Sequence, residues 1–196
     1  MKSPETRPEL EKNQPELAPR EEKREAWLKD LAQFIVEANT NTWAADAGEV
    51  AAPQRPGFKE LDYERGDWHL RDSYTGYFRA PGMTTVYYQD QPVWTMAYGG
   101  RGMEEGKHDI VKATFKFLKS ALMKATPQIP YRGPEEFKDG EWRYRMRVEG
   151  DLTEFSGKET IYKKGKGLVF SQLFFGGVVI IRDSLAQPFY PWDWNT

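Results

Sequence analysis

From Glu21 onward, apolar side chains recur every third or fourth position. Trp27, Leu31, Phe34, Ile35 and Ala38 fall on one stripe, which predicts a helix ending near Asn39. A second stripe, Ile110, Val111, Thr114, Phe115, Leu118 and Leu122, predicts another helix, with Lys112, Lys116 and Lys119 on its opposite side. Between the two the period drops to two. Trp68, Leu70, Asp72 and Tyr74 alternate with His69, Arg71 and Ser73, as in a half-buried strand. Met83 to Tyr88 predicts a second strand, residues 89–92 a turn, and Val93 to Tyr98 a third strand with Trp94, Met96 and Tyr98 on one face. After a link containing Pro127, Pro130 and Pro134, strand signals resume at Glu141 and run to Arg182.

The remaining stretches lack a period. Residues 1–19 mix Pro4, Pro8, Pro15 and Pro19 with charges, which predicts a disordered N-terminal tail ahead of a single α+β domain over residues 20–196. Residues 46–58 carry Gly48, Pro53, Pro56 and Gly57 and read as a long loop. The end of the chain, residues 185–196, gathers four rings in FYPWDWNT, a composition suited to docking on the body or on a partner.

Laying residues 66–100 against residues 140–177 exposes an internal likeness. With three inserted positions, Gly66 meets Gly140, Trp68 meets Trp142, Arg71 meets Arg145, Gly76 meets Gly150 and Gly82 meets Gly157. Thr85 then meets Thr160, Tyr87 meets Tyr162, and Gly99-Gly100 meets Gly176-Gly177. Two unrelated meanders also share turn glycines and alternating rings, but the kept order points to duplication. The expected fold is therefore a helix-plus-three-strand antiparallel unit used twice, about residues 21–100 and 107–182, related by a pseudo-two-fold axis, with an extra strand through residues 178–182. A groove at that axis is the expected site.

Composition narrows the chemistry. The 196 residues carry a formal net charge of -2, with 30% charged and 14% aromatic residues, which gives no global pull toward nucleic acid. There is no cysteine, so disulfides, thiolate metal sites and cysteine nucleophiles are excluded, and with no membrane-length apolar run a cytoplasmic location is expected. His69 and His108, the only histidines, stand in no metal or triad spacing, and no cofactor or metal is expected. Gly99, Gly100 and Gly102 lack the Lys-Ser or Lys-Thr of a phosphate loop. Arg143, Arg145 and Arg147 alternate on one strand face near Lys163, Lys164 and Lys166, but interleaved carboxylates explain that face as solvated.

Asp72 stands out because a carboxylate on an apolar face must be paired, protonated or at a pocket mouth. An ion pair with Arg71 or Arg79 and a ligand anchor are both open. Trp68, Tyr74, Tyr77, Trp94, Met96 and Tyr98 should neighbour it on adjacent strands, either as sheet core or as the lining of one concavity that holds flat or cationic ligands.

The segments LAQFIVEANTNTWA, YERGDWHLRDSYTGYF, PVWTMAYGG and FSGKETIYKKGKGLVFSQLFFGG resemble a bacterial and archaeal family known only as a domain of unknown function, DUF5680, over roughly residues 28–181. The resemblance implies a domain found alone or behind a helix-turn-helix, and it supplies no catalytic residue. The element order also resembles the gyrase-inhibitor-like fold, whose paired strand-helix-strand-strand modules bind small amphipathic ligands. The leading expectation is a non-enzymatic small-molecule-binding or sensory domain with a small amphipathic or cationic ligand. The alternatives are a carboxylate-based hydrolase or isomerase and a protein-interaction module, either of them compatible with a homodimer.

Overall fold

The computed structural model describes residues 17–46, 48–103 and 106–194. Among them the chain is α+β, with two helices and one large antiparallel sheet. The prediction for residues 1–16 lies outside the described residues. Helix α1 spans Leu17–Asn41, so residues 17–19 open a helix, with Pro19 in the first turn where a missing N–H is tolerated. Leu31, Phe34, Ile35 and Ala38 are fully buried, as the stripe requires. A 3-10 turn at Trp43–Ala45 closes α1, and Asp46 follows in the left-handed region.

The first four strands are β1 Lys59–Arg65, β2 Trp68–Tyr74, β3 Gly82–Tyr88 and β4 Gln91–Gly102. Helix α2, His108–Leu122, precedes β5 Glu136–Asp139, β6 Trp142–Asp151, β7 Glu154–Lys163 and β8 Gly167–Val178. The sheet order is β1-β2-β3-β4-β8-β7-β6-β5, so the last strands of the two halves meet as an antiparallel pair at the centre. Each helix precedes all four strands of its half, an order unlike strand-helix-strand-strand.

Three expectations are corrected here. Each half of the chain holds a helix and four strands rather than three, because β1 and β5 are edge strands whose charges hide their period. No extra strand follows in the sheet: Val178 ends β8, and β9 Ile181–Arg182 pairs with β10 Pro188–Phe189 in a separate ribbon. Among the described residues Asp72 forms no ion pair, and Arg71 binds Asp62 at 2.8 Å instead.

The aromatic end docks on α1. Trp192 is buried with its ring 5.9 Å from Trp27, Tyr190 stacks on it at 4.9 Å, and Arg20 grips both carboxylate oxygens of Asp193 at 2.8 Å. The opposite sheet face exposes Leu173 and Phe175 at 61% and 62%. No helix among the described residues is long and apolar enough to cross a membrane.

Candidate functional site

A cavity of about 860 Å³ opens between the sheet, α2 and the turn after α1. Its floor is the inner face of β2, β3, β4 and β8, where Asp72 pairs opposite Thr84 and Gly100 opposite Gln172. Tyr98 reaches Asp72 diagonally by lying across Gly82, where a Cβ would collide with the ring and hydroxyl. The Tyr98 hydroxyl contacts Asp72 Oδ2 at 2.9 Å and Oδ1 at 3.0 Å, and Thr84 Oγ1 donates to Oδ1 at 2.8 Å. Burial pushes the Asp72 carboxyl up, against the pull of those two donors and of Arg132. Burial, then the neighbouring Asp72, raises the Tyr98 phenol well above its usual range, so it stays a donor.

A second polar cluster adjoins the first. Glu159 on β7 is 0% exposed and accepts from Arg132 Nε at 3.1 Å, Gln172 Nε2 at 2.9 Å and Tyr144 Oη at 2.8 Å. Tyr144 in turn accepts from the Gly133 N–H at 3.1 Å. Burial alone would depress the Arg132 charge, but the Glu159 carboxylate more than reverses that, so the guanidinium stays protonated. Arg132 lines the cavity with its side chain 14% exposed and lies 5.4 Å over the Tyr98 ring. Its Nε hydrogen bond and its Nη2 ion-pair contact at 2.9 Å both run to one oxygen, Glu159 Oε1. Its Nη1 has no partner among the described residues.

The wall is aromatic. Phe115 meets Tyr77, Phe170 and Trp43 edge-on at 5.5, 6.1 and 6.5 Å. Tyr77 is 41% exposed at the rim and stacks on His108 at 5.7 Å. Tyr74 hydrogen-bonds Glu49 at 3.1 Å, and its phenol is raised by burial and by that carboxylate. Lys59 pairs with Glu49 at 2.8 Å and Lys119 with Asp46, while Lys112 and Lys116 line the mouth without an ion pair among the described residues.

Of the seven residues expected to share one concavity, the structure brings Asp72, Tyr74, Tyr77 and Tyr98 to the cavity. Trp68, Trp94 and Met96 sit in the core instead. Trp94 stacks on Phe155 at 5.5 Å and gives its N–H to the Leu152 carbonyl, and Trp68 packs on Phe34 and donates to Asp30. Sequence reasoning missed Thr84, Arg132 and Gln172, and it placed Lys112 and Lys116 on a solvent face. Thr84 alone had a signal, as the residue facing Asp72 across the β2–β3 hairpin.

The other candidates are absorbed locally. His69 bonds Asp62 at 2.6 Å, and Arg143 and Arg145 hold Glu136 at 3.1 and 3.2 Å. No group of side chains among the described residues is arranged to hold a metal ion. No curated protein and no solved structure matches the chain. A family model matches residues 72–179, the segment that carries the cavity floor from Asp72 to Gln172, and the chain belongs to that family, the domain of unknown function DUF5680.

Proposed function

We propose that this chain is a non-enzymatic small-molecule-binding domain whose ligand occupies the cavity between the two halves of the sheet. One observation carries the reading: a cavity of about 860 Å³ has aromatic walls and a floor on which Asp72 and Arg132 keep unused hydrogen-bonding capacity. A sheet that only needed a core would fill such a space with apolar side chains, as it does around Trp94. A thermal-shift screen of small metabolites tests this, since a ligand at 100 times its Kd adds about 2.7 kcal/mol. Ala113 is exposed on α2 and lines the mouth, so Ala113→Phe should block entry without touching the core. Hits should stabilise the wild type and lose their effect in Ala113→Phe; a set of hits indifferent to that change sinks the proposal.

The duplication belongs to the same proposal, now as a helix-plus-four-strand unit with a pseudo-two-fold axis between β4 and β8. Several features support it. Gly66 and Gly140 turn at φ 56° and 55°, and Gly76 and Gly150 at 83° and 88°. Gly82 lies under the Tyr98 ring as Gly157 lies under the Phe174 ring. The register slips after Val86 in one half and after Ile161 in the other, leaving Val93 and Val169 as the extra, buried residues. A cytoplasmic setting is proposed with it, because a chain without cysteine takes no advantage of an oxidising compartment.

Asp72 bonded to Tyr98 inside a cavity favours a second reading, a carboxylate-based isomerase or hydrolase. Turnover of any screening hit, followed by mass spectrometry, separates it from pure binding. The exposed Leu173 and Phe175 favour an interaction module or homodimer, which light scattering on the wild type and on Phe175→Ser would reveal.

A further inference from the structure

We infer that the buried end of the ligand is an uncharged group offering a hydrogen-bond donor and an acceptor side by side: a carboxamide, a lactam or the amidic edge of a heterocycle. The inference rests on the ligand-binding reading of the cavity and deepens it.

Two groups on the floor have capacity the protein does not use. Asp72 Oδ2 receives one bond, from Tyr98, and a carboxyl oxygen can take a second. Arg132 has five N–H donors, spends Nε and Nη2 on a single oxygen of Glu159, and leaves Nη1 unbonded among the described residues. Both groups line the same cavity, joined by Tyr98, whose hydroxyl bonds one while its ring lies under the other. The floor therefore presents an acceptor and a donor together.

Charge decides what can lie there. An anion placed at the floor would join Asp72 and Glu159 as a third acidic group around one guanidinium already held by Glu159. A cation would face the Arg132 charge across a partly dry space, with only Asp72 in return, and the Asp72 carboxyl is the group whose ionised form burial disfavours. An amide N–H toward Asp72 with its C=O toward Arg132 satisfies both and brings no charge. Around it, the edge-on rings of Phe115, Tyr77 and Phe170 leave room for a flat group, which suits an amide conjugated to a ring.

The test uses three probes of one size, benzamide, benzylammonium and benzoate, titrated separately into the whole chain. Binding is followed by NMR on the Arg132 Nε–H and the backbone amides of Asp72 and Gln172; fragments this small bind weakly, so millimolar probe is needed. The expected result is that benzamide shifts these three signals and binds at least about ten-fold more tightly than either ion. Asp72→Asn, whose oxygen is taken by Tyr98 and Thr84 and whose NH2 stands where Oδ2 accepts, should weaken benzamide at least about ten-fold. If benzylammonium or benzoate binds as tightly as benzamide, or if Asp72→Asn leaves benzamide binding unchanged, the amide inference is overturned and the cavity reading stands. If none of the three probes moves any cavity signal, both fail.

Discussion

The inner face of the sheet holds two polar clusters that meet where Arg132 lies over the Tyr98 ring, and they end differently. In the cluster around Glu159 every carboxylate oxygen is occupied and Glu159 and Tyr144 are fully buried. In the cluster around Asp72 the residue as a whole is partly exposed, and it and its neighbours line a cavity. The sealed cluster is what a buried charge needs in order to be tolerated; the open one keeps unfilled valences that only a ligand or water can meet. The contrast separates structure from function on a single surface, because the same strand geometry supports both. Arg132 belongs to both, closed on its Glu159 side and open on its Nη1 side.

The comparison breaks most decisively at Glu159. Glu159→Ala strands the buried Arg132 charge together with Gln172 and Tyr144, and should cost about 3–5 kcal/mol in denaturant unfolding. A loss under about 1 kcal/mol would show that water reaches the cluster and that it is not sealed. Two tyrosine-to-phenylalanine changes sharpen the contrast. Tyr144→Phe removes the donor to Glu159 and the acceptor for the Gly133 N–H in a dry site, and should cost about 1–3 kcal/mol. Tyr98→Phe removes an equivalent hydroxyl beside the cavity, where water can replace it, and should cost less than about 1 kcal/mol. Equal losses in the two variants would erase the distinction.

How much of this was legible in the sequence follows from what periodicity encodes. The helices were legible because Leu31, Phe34, Ile35 and Ala38 repeat at helical spacing on a buried face. β1 was not, because Lys59, Glu60, Asp62, Glu64 and Arg65 surround its apolar positions, and one of those charges, Glu60, is buried on a Ser73 hydroxyl and the Gln54 N–H. Asp72 was legible as a carboxylate on an apolar face. Alternation gave that face correctly but could not give position along it: Trp68, Trp94 and Met96 share the side of Asp72 and Tyr98 yet lie where other elements cover the sheet. Arg132 was illegible for a different reason. It sits in an irregular proline-bounded segment, where no period relates sequence to direction, and only the folded chain brings it over Tyr98.

The smallest effect is also the one with the unusual sign. Because burial raises the Asp72 carboxyl, the native chain holds its proton more readily than the unfolded chain does. Between the ordinary aspartate value, about 3.9, and the raised native value, the unfolded state is ionised while the native state is not, so the native state binds more protons and stability falls as pH rises through that window. Below it the contribution of Asp72 is fully present; above it the contribution is lost. Asn in its place offers an oxygen to Tyr98 and Thr84 and has nothing to ionise. Asp72→Asn should therefore match the wild type near pH 4 and exceed it at pH 7 by up to about 1 kcal/mol, a gain of the kind found where a binding group is kept at the expense of stability. Melting temperatures of the two proteins across that range check it. A variant that is destabilised at pH 7 more than at pH 4 would mean that the Asp72 carboxylate is stabilised by the native fold, which would move it from the open cluster to the sealed one.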